Sequence, residues 1–192
     1  MDAVSSHSAL FFTMGMSAYL GVLHAWLWRR TDPAHLWVAG WCLLAVGYQA
    51  SRWVQFQAEE PQVAVAAART TLAVAPLLVA SLVCFARTLE ERPVAPFAAG
   101  VLGAASVLAL LSLATPLMVP GRVDPRIDWF GRPYLGAPVS GFALVLVPAI
   151  AAAVVYVLRV LLRTPRLHGR ERGVLLACLG VYAAMGLASI LS

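Results

Sequence analysis

Arg52 and Arg69 are the residues whose type and spacing could do chemistry in this chain. Each sits inside an apolar run, one on either side of a short polar turn at Glu59-Glu60-Pro61. A guanidinium offers a planar fork of donors that matches a carboxylate or a phosphate-like group. Arg52 lies seven residues before Glu59 and Arg69 eight after Pro61. If both flanks are helical, a rise of about 1.5 Å per residue sinks both side chains roughly 10–12 Å below the turn. On the first flank Trp41, Tyr48, Arg52 and Gln55 recur at intervals of seven, four and three residues and share one helix face. The expectation is a ligand pocket open to the outer side, with Arg52 and Arg69 clamping an anion and Tyr48, Trp41 and Trp53 covering its apolar remainder. The competing reading has the arginines snorkelling to outer headgroups or pairing with Glu59 or Glu60.

The elements that must position these residues are membrane spans. The chain is 61% hydrophobic and 12% charged, where a soluble domain carries about a quarter of its residues as charges. Its mean hydropathy is +0.80. With ~20 apolar residues needed per crossing, 192 residues leave room for about six spans and no separate soluble domain. The apolar runs lie at about 8–28, 35–56, 62–86, 94–119, 137–162 and 173–192, which predicts an all-α polytopic transmembrane bundle forming a single domain over 1–192. Pro61 suits the first turn of the third helix, and Pro76 is expected to kink it near mid-membrane. Between the fourth and fifth runs, PGRVDPRIDWFGRPYLGAP reads as the one substantial loop, with Trp129, Phe130 and Tyr134 suited to an interface.

All 14 basic residues are arginine, and the net charge is +5. Arg29 and Arg30, Arg87 and Arg92, and Arg159, Arg163, Arg166, Arg170 and Arg172 fall in or beside the first, third and fifth loops. Arg122, Arg126 and Arg132 on the other side are balanced by Asp124 and Asp128. The positive-inside bias therefore places the odd loops in the cytoplasm and the N-terminus outside. Topology accounts for this charge without a nucleic-acid partner. Membrane lipids are the expected surroundings, and a homodimer is compatible with the bundle.

Other chemistries find little support. Cys42, Cys84 and Cys178 have no paired spacing, which argues against disulfide, metal or Cys-x-x-Cys redox use. His24, His35 and His168 all map to the cytoplasmic side but match no ligand motif, so separate structural roles are expected, with no metal and no cofactor; His7 lies in the outer tail. A rhomboid-type protease would need a serine motif and a later histidine, and Ser140-Gly141 follows Pro138-Val139 with no histidine after His168. A retinal protein would need a lysine. The chain itself is not expected to be an enzyme. Ser17 with Gly21, Gly100 with Gly103, and Gly180 with Ala184 are expected to let helices approach closely.

A short basic first loop, a second span ending in Trp41, Tyr48, Arg52 and Trp53, the Glu-Glu-Pro turn, and a third span with Arg69 early and Pro76 in its middle together resemble the N-terminal seven-helix sensor regions of bacterial histidine kinases and related signalling proteins. The resemblance implies a ligand-sensing input module of a two-component or cyclic-dinucleotide system, with catalysis in a cytoplasmic output domain. Ser192 would then close the sixth of seven helices. The alternative expectation is a small six-span transporter or channel in which the same arginines line a path for an anionic solute.

Overall fold

The computed structural model describes residues 3–29, 32, 34–90, 93–127 and 133–165, together with Gly169, Gly173, Leu176 and Gly180; for residues 3–10 and 145 it describes the backbone alone. The protein is mostly helical. Helices α1 (Ala3–Trp28), α2 (Ala34–Gln57), α3 (Pro61–Leu89) and α4 (Ala95–Ala114) are followed by strands β1 (Asp124–Ile127) and β2 (Pro133–Gly136), a 3-10 turn (Gly141–Val145) and α5 (Leu146–Arg163). The segments Pro61–Leu89, Ala95–Ala114 and Gly141–Arg163 are long and apolar enough to cross a membrane. The sixth apolar run, from 173, lies outside the described residues apart from Gly173, Leu176 and Gly180, as do Arg30, Arg92, Asp128, Trp129, Phe130, Arg132, Arg166, His168, Arg170, Arg172 and Cys178.

Local chemistry sets the helix boundaries. Asp32 opens α2, its carboxylate accepting the Ala34 N–H at 2.7 Å and its carbonyl the His35 N–H at 3.1 Å. Pro61 opens α3, where a missing N–H costs nothing, and the helix runs unbroken through Pro76 to Leu89. Pro76 leaves the Leu72 carbonyl without the N–H that would normally bond it. The fourth apolar run was expected to stay helical to 119, but α4 ends at Ala114. Pro116 forces the residue before it out of helical geometry, and Thr115 is extended, at φ −131° and ψ 156°. The next residues turn inward instead, and Met118 and Val119 are fully buried. The fifth helix likewise starts later than 137: Ser140 donates its N–H to Met118 O at 2.9 Å and its hydroxyl to Leu117 O, tying that stretch down before the 3-10 turn begins.

The loop between the fourth and fifth runs also contains an element not expected of an all-α bundle. β1 and β2 pair antiparallel, with Asp124 opposite Gly136 and Arg126 opposite Tyr134. The Arg126 side chain lies across Gly136, where a Cβ would otherwise sit.

Helix α3 is the axis of the molecule, packing against α2, α4, α5 and β2, whereas α1 packs on α2 alone among the described residues. The buried face of α3 is built largely of small residues, with Ala64 and Ala86 fully enclosed, so its neighbours can come close. One core cluster gathers Val65, Ala68, Met118, Val119, Ala137, Ala143 and Leu146 near the start of α3. A second gathers Val83, Ala86, Val157, Val160 and Leu161 near its end. Gly21 behaves as its spacing predicts, because a Cβ there would meet Leu43 at 3.2 Å and Cys42 at 3.4 Å. At Gly100 and Gly103, both exposed, nothing among the described residues lies within 4 Å of a Cβ. Outward faces carry Phe12, Tyr19 and Val22 on α1, Leu110 on α4 and Val155 on α5, a surface suited to lipid.

Candidate functional site

Four polar side chains are buried between helices that otherwise pack through alanine and valine. Gln49, Ser51 and Gln55 of α2 and Thr71 of α3 are all less than a tenth exposed. The Thr71 hydroxyl lies 2.9 Å from both Ser51 Oγ and the Ala67 carbonyl, and Ser51 in turn donates to the Tyr48 carbonyl at 2.9 Å. A hydroxyl has one proton, so Thr71 divides its donation between the neighbouring helix and its own.

The two arginines flank this band and take different partners. Arg52 donates from Nη1 to Gln55 Oε1 at 2.9 Å, and its guanidinium lies over the Phe56 ring, 4.8 Å from the centroid. Phe56 meets Tyr134 of β2 edge-on at 5.0 Å, so the hairpin closes over this end of α2. Arg69 reaches the chain after α4, its Nη2 lying 3.4 Å from the Val119 carbonyl. Among the described residues its Nε is buried without a hydrogen-bond partner, as are the Oε1 of Gln49 and, toward the other end of α3, the Nε of Arg87. A buried donor or acceptor left open carries a free-energy cost of about 1–3 kcal/mol.

The expected aromatic cover is dispersed. Tyr48 is half-buried beside the band and contributes its carbonyl to Ser51. Trp53 turns to α1, its ring 5.7 Å from that of Phe11. Trp41 lies two helical turns before Tyr48 and is half-buried. Arg52 is paired to Gln55, three residues on, rather than to Glu59 or Glu60 in the turn. Gln49, Ser51, Thr71 and Tyr134 were not singled out by spacing. The available signal was that Ser51 adjoins Arg52 and Thr71 follows Arg69 by two residues, polar neighbours inside apolar runs.

Two further features lie toward the other end of α3. A cavity of about 430 Å³ opens between α3, α4 and α5, lined by Pro76, Val83, Phe97, Leu108, Ile150 and Tyr156 among others. Its walls are apolar except at the Tyr156 end, where the phenol donates to Glu90 Oε2 at 3.0 Å. Glu90 also pairs with Arg87 at 3.3 Å, and Arg87 lies over Phe97 at 5.1 Å. At the α1–α2 connection, His24 and His35, expected to play separate roles, meet with their Nδ1 atoms 2.8 Å apart.

Comparison of the chain with protein-family models, curated proteins and solved structures returns no match.

Proposed function

We propose that this chain is a six-span sensory input domain of a bacterial inner-membrane signalling protein, with its N-terminus outside, and that it binds a small anionic or lipid-derived ligand from the outer side. The observation that carries this reading is the donor Arg69 Nε, buried on α3 without a partner among the described residues, two residues before the Thr71–Ser51 contact with α2. An apolar interface would hold two helices together at lower cost. A carboxylate or phosphate-like group would accept from Arg69 Nε, and Arg52 stands on the adjacent helix with one fork engaged on Gln55. Tyr48 stands beside the band as apolar cover, whereas Trp53 faces Phe11 of α1 and Trp41 lies two helical turns away.

A sensor must couple occupancy to a second helix arrangement, and a ligand shifts that balance only by its difference in affinity for the two states. Helix α3 is placed to do this. It carries Arg69 in its first half, Pro76 at its middle and the Arg87–Glu90 pair at its end, and it touches α2, α4 and α5 along the way. Any shift of α3 therefore reaches the cytoplasmic end, where an output partner would read it.

The test uses the full-length protein and its signalling output, together with melting curves in lipid nanodiscs against short- and medium-chain carboxylates and phosphate monoesters. Compounds of this class should raise the melting temperature of the wild type and not that of the Arg52→Ala, Arg69→Ala double variant, and that variant should lose its response. Unchanged output from the double variant at every ligand concentration would sink the reading. Anion flux through proteoliposomes, lost in the same variant, would replace the sensor with a transporter.

A further inference from the structure

We propose that His24 and His35 form a chelating site for a divalent late first-row transition ion, with Cu²⁺ the best fit. The site lies at the opposite end of α2 from Arg52: seventeen residues of helix separate His35 from Arg52, about 25 Å. It is independent of the arginine pocket.

The donor set and its geometry carry the inference. His24 ends the last turns of α1, and His35 is the second residue of α2, fixed there by the Asp32 cap. Both imidazoles are half-buried, their centroids are 4.9 Å apart, and the two Nδ1 atoms face each other at 2.8 Å. Such a contact has two chemically sensible states. In one, a single proton lies between the nitrogens, one ring donating and the other accepting. In the other, both rings carry their proton on Nε2 and two lone pairs converge, which is repulsive unless a cation sits between them. With metal–nitrogen bonds of about 2.0–2.1 Å, two adjacent ligands of a square-planar ion stand about 2.9 Å apart, and two of a tetrahedral ion about 3.3 Å. The separation of 2.8 Å matches the square-planar edge. Imidazole donors and that geometry favour Cu²⁺, which also binds most tightly in the divalent series.

Binding needs no net loss of a proton from the neutral pair: the shared proton leaves Nδ1, the same ring becomes protonated on Nε2, and the ion takes both Nδ1 lone pairs. No third histidine, cysteine, aspartate or glutamate completes a cluster among the described residues. The Asp32 carboxylate is engaged on the Ala34 N–H. Among the described residues the remaining coordination positions are left to water. Since α1 packs on α2 alone among the described residues, an ion here would clip the two helices together at their shared end.

The test is titration of the full chain, purified without a histidine tag in nanodiscs, with Cu²⁺ as its sulfate, followed by electron paramagnetic resonance and by melting temperature. One equivalent should bind with hyperfine splitting from two nitrogens and raise the melting temperature. His24→Ala and His35→Ala should each weaken binding at least about tenfold and leave one-nitrogen splitting. His24→Gln and His35→Gln, which keep a polar side chain at each position, should melt near the wild type in metal-free buffer and show the same loss. Failure of the wild type to bind one equivalent would overturn the proposal, and so would an unchanged spectrum and affinity in the His24→Gln, His35→Gln double variant.

Discussion

Replacing each site arginine by methionine should move stability in opposite directions. Arg69 holds one long bond, Nη2 to Val119 O at 3.4 Å, at the outer limit of useful geometry, so its loss costs about 1 kcal/mol at most. Against this, Nε is buried with no partner among the described residues, and removing it relieves about 1–3 kcal/mol. Methionine has similar length and no charge to desolvate, and it adapts to an irregular space. Arg69→Met is therefore expected to leave the fold unchanged or up to about 2 kcal/mol more stable.

Arg52 is the contrasting case. Its bond to Gln55 Oε1 is 2.9 Å long and charge-assisted, worth about 1.5–3 kcal/mol, and its stacking over Phe56 adds about 0.5–1. Gln55 is only 4% exposed, so truncating its partner strands a buried oxygen. Arg52→Met should destabilise by about 2–4 kcal/mol. The assay is reversible unfolding in mixed micelles, with the wild type and both variants under one condition. If Arg69→Met loses more than about 1 kcal/mol, Arg69 is a strut between α3 and the chain after α4, and the argument that it is retained for a ligand fails.

Three further outcomes follow from single contacts. Thr71→Val and Ser51→Ala should each cost little, because Thr71 can donate to Ala67 O and Ser51 to Tyr48 O; a double-mutant cycle should return a coupling of about 0.6 kcal/mol, and a value near 2 would show a stronger tie between α2 and α3 than the hydroxyl pair supplies. Gly21→Ala should be nearly neutral, its tight approach to Leu43 offset by helix propensity, whereas Gly21→Leu should separate α1 from α2 and cost about 1–3 kcal/mol, read as a loss of disulfide trapping between cysteines placed on the two helices. Tyr156→Phe should lower stability by about 1 kcal/mol through the bond to Glu90, and the effect should vanish in a Glu90→Gln background if the carboxylate is what the phenol serves.

The legible part of the fold was set by local chemistry. Expected boundaries of 35–56 and 62–86 fall within a few residues of α2 and α3, because Asp32 and Pro61 act on their own helix starts. The illegible part depends on neighbours. Leu117, Met118 and Val119 read as the end of an apolar helix, yet Pro116 breaks the helix and the cluster around Val65 and Leu146 takes Met118 and Val119 in. The hairpin escaped notice because β1 and β2 are four residues each, too short for a periodic signal, and Pro125 and Pro133 mark them as loop. Gly100 and Gly103 match a packing motif by spacing, but among the described residues nothing lies within 4 Å of a Cβ at either.

The site divides the same way. The positions of Arg52 and Arg69 along their helices, counted from the turn, depend only on helical rise. Partner choice does not: whether Arg52 meets Arg69 depends on how α2 and α3 are rotated about their axes, and one residue of rotation, about 100°, moves a side chain from a shared pocket to a different neighbour. The rotation observed sends Trp53 to Phe11 of α1 and brings Ser51 to Thr71 of α3. The histidines show the converse. Eleven residues apart with a break between them, His24 and His35 match no helical or loop ligand spacing, but a tight connection between antiparallel helices returns the chain to the same level it left. A residue near the end of one helix and another at the start of the next then meet by topology. That relation is independent of motif, so ligand pairs in a helical bundle are better sought across each connection than along each helix.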